Sequence, residues 1–208
     1  MSVKNCTDYW LDRESLSFVG DFEGMYRDIP DPWGCAAESG GLNNRLFLEL
    51  LFGSDRYGAI LDIGCGLGGF SNQLHRRNGG GQVFGVDISE TAVAKARESY
   101  PSIQFRAFNV LSEPIEGAFD LITLSEVLWY VLDGLEDVFS KIDAAMSENG
   151  KLGIKQYFPN TQRFGVDKLK GIEGFEAFLE RSTRFRMTSK LVSHQPPDGV
   201  VLLAILER

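Results

Sequence analysis

The 208-residue chain predicts an α/β fold, with a mostly parallel seven-stranded sheet, helices on both faces and an antiparallel hairpin closing the C-terminal end. Three observations carry this reading. Short apolar runs alternate with segments of helical period from residue 58 onward. One run, Ala59 to Ile63, passes straight into Gly64-Cys65-Gly66-Leu67-Gly68-Gly69, a glycine turn between a buried strand and a helix. The last two runs, Phe185 to His194 and Val200 to Glu207, are joined by Gln195-Pro196-Pro197-Asp198-Gly199, a hairpin connection.

Length suits one domain over residues 1–208, divided into an N-terminal helical or lid segment (1–57) and a Rossmann-like core (58–208). The most apolar stretch, Phe119 to Leu132, is short and broken by Ser125 and Glu126, which argues against a membrane span. The start has no apolar core of a signal peptide, and Cys6, Cys35 and Cys65 are too few and too scattered for a disulfide framework or a zinc cluster. A cytoplasmic setting is the expectation. A net charge of -8, with no run of clustered Lys and Arg for phosphate contacts, argues against nucleic acid, so a small molecule is expected as partner rather than nucleic acid or membrane.

In order, aromatic residues crowd the first segment, and two prolines in Tyr26-Arg27-Asp28-Ile29-Pro30-Asp31-Pro32-Trp33-Gly34 impose a loop. An amphipathic helix around Asn44 to Phe52 follows. After strand one, Gly69 to Arg77 reads as a helix ended by Asn78-Gly79, Gln82 to Val86 as strand two, and Glu90 to Tyr100 as a helix capped by Ser89. Ile103 to Phe108 and Phe119 to Ser125 are strands three and four. Leu135, Val138, Phe139, Ile142 and Met146 share one helix face, stopped at Asn149-Gly150, and Lys151 to Tyr157 is strand five. Phe158 to Gly174 reads as a loop and the start of a helix that could overlie the site.

Gly64, Gly66 and Gly69 fit the dinucleotide pattern G-x-G-x-x-G, and Asp87 falls at the distance of a ribose-binding acid, so a nicotinamide cofactor is one reading. Asp62 favours another. A carboxylate ending an apolar strand needs a cationic or hydrogen-bonding partner. Asp62, Gly64, Gly66 and Gly68 form the D-x-G-x-G-x-G core that resembles motif I of class I S-adenosylmethionine (SAM) methyltransferases.

Tyr26 with Asp31-Pro32-Trp33, Arg45, Val86-Asp87-Ile88-Ser89, Phe119-Asp120-Leu121-Ile122 and Ser125-Glu126-Val127-Leu128-Trp129-Tyr130 extend the resemblance over most of the chain, to the nodulation N-methyltransferase family (nodulation protein S type). That family methylates an amino sugar of a chitooligosaccharide. The resemblance implies SAM as cofactor, held by Asp62, Gly64, Gly66, Gly68, Asp87, Ile88, Asn109, Val110 and Ser125, with Trp33 closing over it and Arg45 reaching its carboxylate. Asn109 stands where many class I enzymes carry an Asp toward the adenine amine; its carbonyl can still accept that bond. Glu126, at the end of strand four, is the candidate base, and Tyr26, Tyr130 and Tyr157 the candidate acceptor pocket. No metal is required. The expected reaction is methyl transfer to a small-molecule amine, possibly on a sugar; an O-methyltransferase and a non-catalytic SAM-binding regulator stay open. Bland readings accompany the sharp ones: Arg45 as an exposed helix charge, Glu126 as a structural cap, Trp33 and Tyr26 as core cover.

Overall fold

A computed structural model describes residues 5–34, 41–195 and 198–208. Its strands are β1 (Ala59–Ile63), β2 (Gln82–Asp87), β3 (Gln104–Ala107), β4 (Phe119–Ser125), β5 (Met146–Pro159), β6 (Arg186–Gln195) and β7 (Gly199–Glu207). The described residues form one seven-stranded sheet in the order β3-β2-β1-β4-β5-β7-β6. β1 to β5 run parallel and β7 is antiparallel to both its neighbours, so the closing hairpin is present as expected. Pro196 and Pro197 of its connection lie outside the described residues.

The two-residue period of β1 sorts its side chains between two cores. Leu61 and Ile63 join Ile122, Leu124, Leu152 and Ile154 under helices α6 (Leu135–Ala145) and α7 (Gly171–Ser182). Ile60 points to the other face. There it meets Phe47 and Leu51 of α3 (Gly41–Phe52), Leu74 of α4 (Gly69–Arg77) and Val93 of α5 (Glu90–Ser99). Covered on both sides, β1 needs apolar side chains throughout, and this makes Asp62 conspicuous. Close approach also fixes a glycine: a Cβ on Gly153 would stand 2.5 Å from Leu51, so α3 could not rest on β5 there.

Several element ends shift by one to three residues from expectation, and the junction of α6 with β5 shifts furthest. α6 ends at Ala145 and β5 begins at Met146, ahead of the Asn149-Gly150 stop and the Lys151 start read from the sequence. Met146 is buried and pairs with Phe119, which draws the chain into the sheet early; Asn149 and Gly150 lie at a register shift before Leu121 pairs with Lys151.

The N-terminal segment contains α1 (Thr7–Trp10) and α2 (Phe22–Asp28), with an isolated bridge between Leu11 and Phe18. α2 docks on α5. Glu23 accepts from the Ser89 hydroxyl (2.7 Å) and the Thr91 backbone N–H (3.2 Å), placing a carboxylate at the positive end of α5. These bonds hold Glu23 below the usual carboxylate range, with the Thr91 hydroxyl the largest cause. Ser89 itself caps α5 through the Ala92 N–H (3.1 Å). Among the described residues no helix is long and apolar enough to cross a membrane.

Because β2 and β4 flank β1, the chain leaves the sheet in opposite directions on its two sides. A crevice opens at the C-terminal strand ends, where such sheets take ligands.

Candidate active site

A cavity of about 850 Å³ fills that crevice. Its floor is the turn after β1. Gly64, Gly66 and Gly68 have φ of 74°, 53° and 80°, a left-handed backbone that side chains with a Cβ rarely adopt. The space around them is as restrictive: a Cβ on Gly64 would lie 2.5 Å from Val127 and one on Gly66 2.6 Å from the Tyr26 hydroxyl. Gly64 and Gly66 line the cavity, but Gly68 does not. It faces Phe105 and Ala96, so its smallness serves the packing of the turn on α5 and β3.

Asp62 is fully buried, on the α4 side of the sheet. The Ser71 hydroxyl donates to Oδ2 (2.6 Å) and the Thr123 hydroxyl to Oδ1 (2.8 Å). Burial nonetheless raises its pKa to about 6, against the pull of both hydroxyls and of Lys155. Asp87, at the end of β2, accepts from the Gly66 N–H (2.8 Å) and the Ser89 N–H (3.0 Å), so it ties the glycine turn to the start of α5. Burial raises its pKa too, opposed by these backbone bonds. Each of its oxygens keeps a second lone pair.

Around Asp87 the cavity wall is apolar. Ile88 is 48% exposed and Leu111 38%, an unusual state for such side chains, and both line the cavity with Phe108 and Val110. Asn109 lines it as well, with its side-chain carbonyl accepting from the Leu111 N–H (3.0 Å). One of the two lone pairs expected to meet an adenine amine is thus already engaged in a turn.

Arg45 is not brought to the site. It is exposed and absent from the cavity lining; its neighbour Asn44 faces inward. Asn44 accepts from Lys155 (2.6 Å), whose ammonium also stands 5.8 Å from the Phe70 ring centre. Lys155 is half-buried, lines the cavity, and has no carboxylate partner within ion-pair distance among the described residues. The sequence gave no reason to single it out, because a Lys inside an apolar strand has no local pattern to mark it; only its register beside Ser125 at the strand ends brings it to the cavity.

Glu126 follows β4 with φ of 63°, strained for a residue with a side chain. Its N–H donates to the Lys155 carbonyl (2.7 Å). Oε2 accepts from the Tyr157 N–H (2.8 Å) and the Gln156 side chain (3.1 Å), while Oε1 takes no hydrogen bond among the described residues. Burial pushes its pKa up, with Lys155 and the Tyr157 N–H opposing. Ser125 lines the same corner.

Beyond Glu126 the walls are rings. Tyr130 lies 5.3 Å from Trp10, 4.9 Å from Phe22 and 6.1 Å from Trp33, centre to centre, and Trp10 lies 5.9 Å from Phe164. Tyr26 is buried, accepts from the Trp33 indole N–H (3.1 Å), and lines the cavity beside Gly66. Tyr157 borders the cavity, but its hydroxyl turns 3.3 Å from Asp198 at the hairpin. Trp10 and Phe22 were not singled out for the site, and Phe164 belongs to the 158–174 stretch expected to overlie it; none of the three sits in a recognisable motif.

Sheet order, glycine turn and strand-end acids together resemble the architecture of class I SAM-dependent methyltransferases, whose cofactor is S-adenosylmethionine. Residues 60–150 match a family described as a methyltransferase domain. The chain is 27% identical over 114 residues to the putative methyltransferase 235L of Invertebrate iridescent virus 6, covering 54% of this chain and 42% of that protein. It is 29% identical over 96 residues to trans-aconitate 2-methyltransferase of Escherichia coli, covering 46% and 38%. These matches therefore span about two fifths of the length of the curated relatives. In fold it is similar to the N-methyltransferase NodS of Bradyrhizobium japonicum WM9 in complex with S-adenosyl-L-homocysteine, with a TM-score of 0.71 and 19% identity over 86% of this chain and 92% of that one.

Proposed function

We propose that the protein transfers the methyl group of SAM to a small-molecule nucleophile, with an amine nitrogen as first choice. The observation that carries this is one cavity holding two different ends: the glycine turn with Asp62 and Asp87, and the carboxylate of Glu126 among aromatic rings. When bound, SAM supplies an electrophilic methyl on a positively charged sulfur that departs as a neutral thioether.

The residues present fit that molecule. Asp87 offers unused lone pairs to ribose hydroxyls, and exposed Ile88 and Leu111 offer apolar cover for a flat base. The half-buried ammonium of Lys155 bonds Asn44 but has no carboxylate within ion-pair distance among the described residues; the carboxylate of an amino-acid moiety supplies one, so Lys155 and Asn44 take the part expected of Arg45. Asp62, ionised near neutral pH, suits the amino group of the same moiety.

At the other end, Glu126 acts as base. Oε2 is pinned by Tyr157 and Gln156, which leaves Oε1 aimed by two fixed bonds rather than free to swing. Its raised pKa makes it a stronger base than an ordinary carboxylate, and an ammonium acceptor must give up its proton before its lone pair can attack. The rings exclude water from the reacting atoms.

Calorimetry with SAM, its demethylated product S-adenosylhomocysteine, and NAD tests the cofactor: the first two should bind and NAD should not. Tight binding of NAD alone would replace the methyltransferase reading with a nicotinamide one.

A further inference from the structure

Resting on that reading, we infer that the methyl acceptor has an apolar, aryl-type body bearing a single amine, and that the site discriminates against saccharides. The acceptor end is walled by Trp10, Phe22, Tyr130 and Phe164, each half-buried, so part of each ring borders the cavity. They arrive from α1, α2, the 3-10 turn Leu128–Tyr130 and the loop after β5. Mutual edge contacts fix the rings against one another: Trp10 stands at 73° to Tyr130 and 76° to Phe164, and Phe22 at 69° to Tyr130. Such a wall offers stacking and edge contacts to a planar body with little rearrangement.

A sugar ring also stacks on aromatic faces, but it brings hydroxyls that must be hydrogen-bonded once water is removed. This wall spends its polar groups internally. Gln162, at the same end of the cavity, donates to the carbonyls of Phe164 (3.0 Å) and Leu169 (2.6 Å) and accepts from the Gly171 N–H (2.9 Å). The Trp129 indole donates to the Tyr157 carbonyl (3.0 Å). The Trp10 indole nitrogen is buried and has no hydrogen-bond partner among the described residues, so it presents no accessible donor to the cavity. Among the described residues Glu126 Oε1 takes no hydrogen bond, and it serves one N–H or O–H, not a ring of hydroxyls. Arg163 and Thr161 are exposed, at the rim.

Two primary amines that differ in body make the test: 2-phenylethylamine and glucosamine, titrated into the full-length protein with and without saturating S-adenosylhomocysteine. 2-Phenylethylamine should bind at least ten-fold more tightly than glucosamine. The variants Tyr130→Ala and Phe164→Ala, each checked for folding by circular dichroism, should narrow that gap while leaving product affinity within about three-fold. Equal or tighter binding of glucosamine overturns the inference, and so does a gap that survives in every folded ring variant. Failure of S-adenosylhomocysteine to bind instead removes the methyltransferase reading; the amine comparison in its absence still decides whether the wall selects an apolar body.

Discussion

The end of the cavity proposed for the cofactor is floored by one continuous run, Asp62 to Phe70, and by Asp87, which is bonded to that run through Gly66. The acceptor end takes one ring each from four segments spread between Trp10 and Phe164. The first end sets two buried acids beside an apolar wall and is tied by backbone hydrogen bonds; the second is lined by rings and held by ring contacts. The contrast teaches that one fold can keep a nucleotide site built from local backbone geometry while its second site is assembled from side chains that any segment can supply.

The largest effect that would sharpen this contrast is at Glu126, where the two ends meet. Glu126→Gln should retain S-adenosylhomocysteine affinity and lower methyl transfer to the bound amine by about 10²–10⁴, the usual range for general-base catalysis. The base must be ionised to take a proton. Its pKa is raised, so wild-type turnover should fall as pH drops through that elevated value, and the residual rate of the variant should not follow this titration. Turnover that survives intact would make Glu126 a structural residue, holding the turn between β4 and the ring wall.

Asp62 offers the next largest effect, and the sign is unusual for a carboxylate. Its folded pKa, about 6, lies above the unfolded value, so its contribution to stability is full at acid pH and is lost as pH rises through 6. Two pKa units correspond to about 3 kcal/mol, an upper figure. Asn can keep bonds to both Ser71 and Thr123. Asp62→Asn should therefore raise the urea stability of the ligand-free protein at pH 7.5 by up to about 3 kcal/mol, with the gain shrinking toward pH 4.5, and should weaken S-adenosylhomocysteine binding. A destabilised variant at pH 7.5 would mean that the ionised form is already well compensated within the protein.

Lys155 separates the amino-acid end from the nucleoside end. Lys155→Met should cost about 1.5–3 kcal/mol in S-adenosylhomocysteine affinity, on the scale of a hydrogen bond to a charged group, and leave 5′-methylthioadenosine, which lacks the carboxylate, unchanged. Equal losses for both ligands would assign Lys155 to the shape of the cavity through Asn44 and Phe70.

The same division explains what could be read from the sequence. Strands, glycine turn, Ser89 cap and closing hairpin each follow from a local pattern, since period, φ requirement and capping chemistry act within a few residues. Asp62 and Asp87 stood out because an acid at the end of an apolar strand needs a reason. Arg45 and Asn44 show the limit: one step along a helix turns a side chain by about 100°, and only the packing of Phe47 and Leu51 on the sheet decides which of the two faces inward. Trp10, Phe22 and Phe164 could not be singled out for a related cause. A ring on a short irregular segment buries equally well in a core or beside a ligand, and no spacing distinguishes these.

The smallest expected effect concerns the segment that joins the two ends. α2 carries Tyr26 against Gly66 on the cofactor side and Phe22 against Tyr130 on the acceptor side. It is fastened to α5 by Glu23 and by Lys95, which donates to the Tyr26 carbonyl (2.5 Å). Beyond α2, Trp33 remains 36% exposed while its indole N–H meets the Tyr26 hydroxyl, so the loop is only partly committed to the interior. Arg27 is well exposed on α2 and, among the described residues, pairs with the adjacent Asp28, a surface pair of little strength, which makes it a reporter for trypsin. If α2 must lift for cofactor to pass, ligand at about ten times its dissociation constant adds about 1.4 kcal/mol against opening and slows cleavage after Arg27 about ten-fold. Trp33 emission, followed in a variant with Trp10 and Trp129 replaced by Phe, should shift over the same ligand range. Cleavage at equal rates with and without S-adenosylhomocysteine, and an emission that does not move, would make α2 and the Trp33 loop a fixed wall shared by both ends rather than a lid.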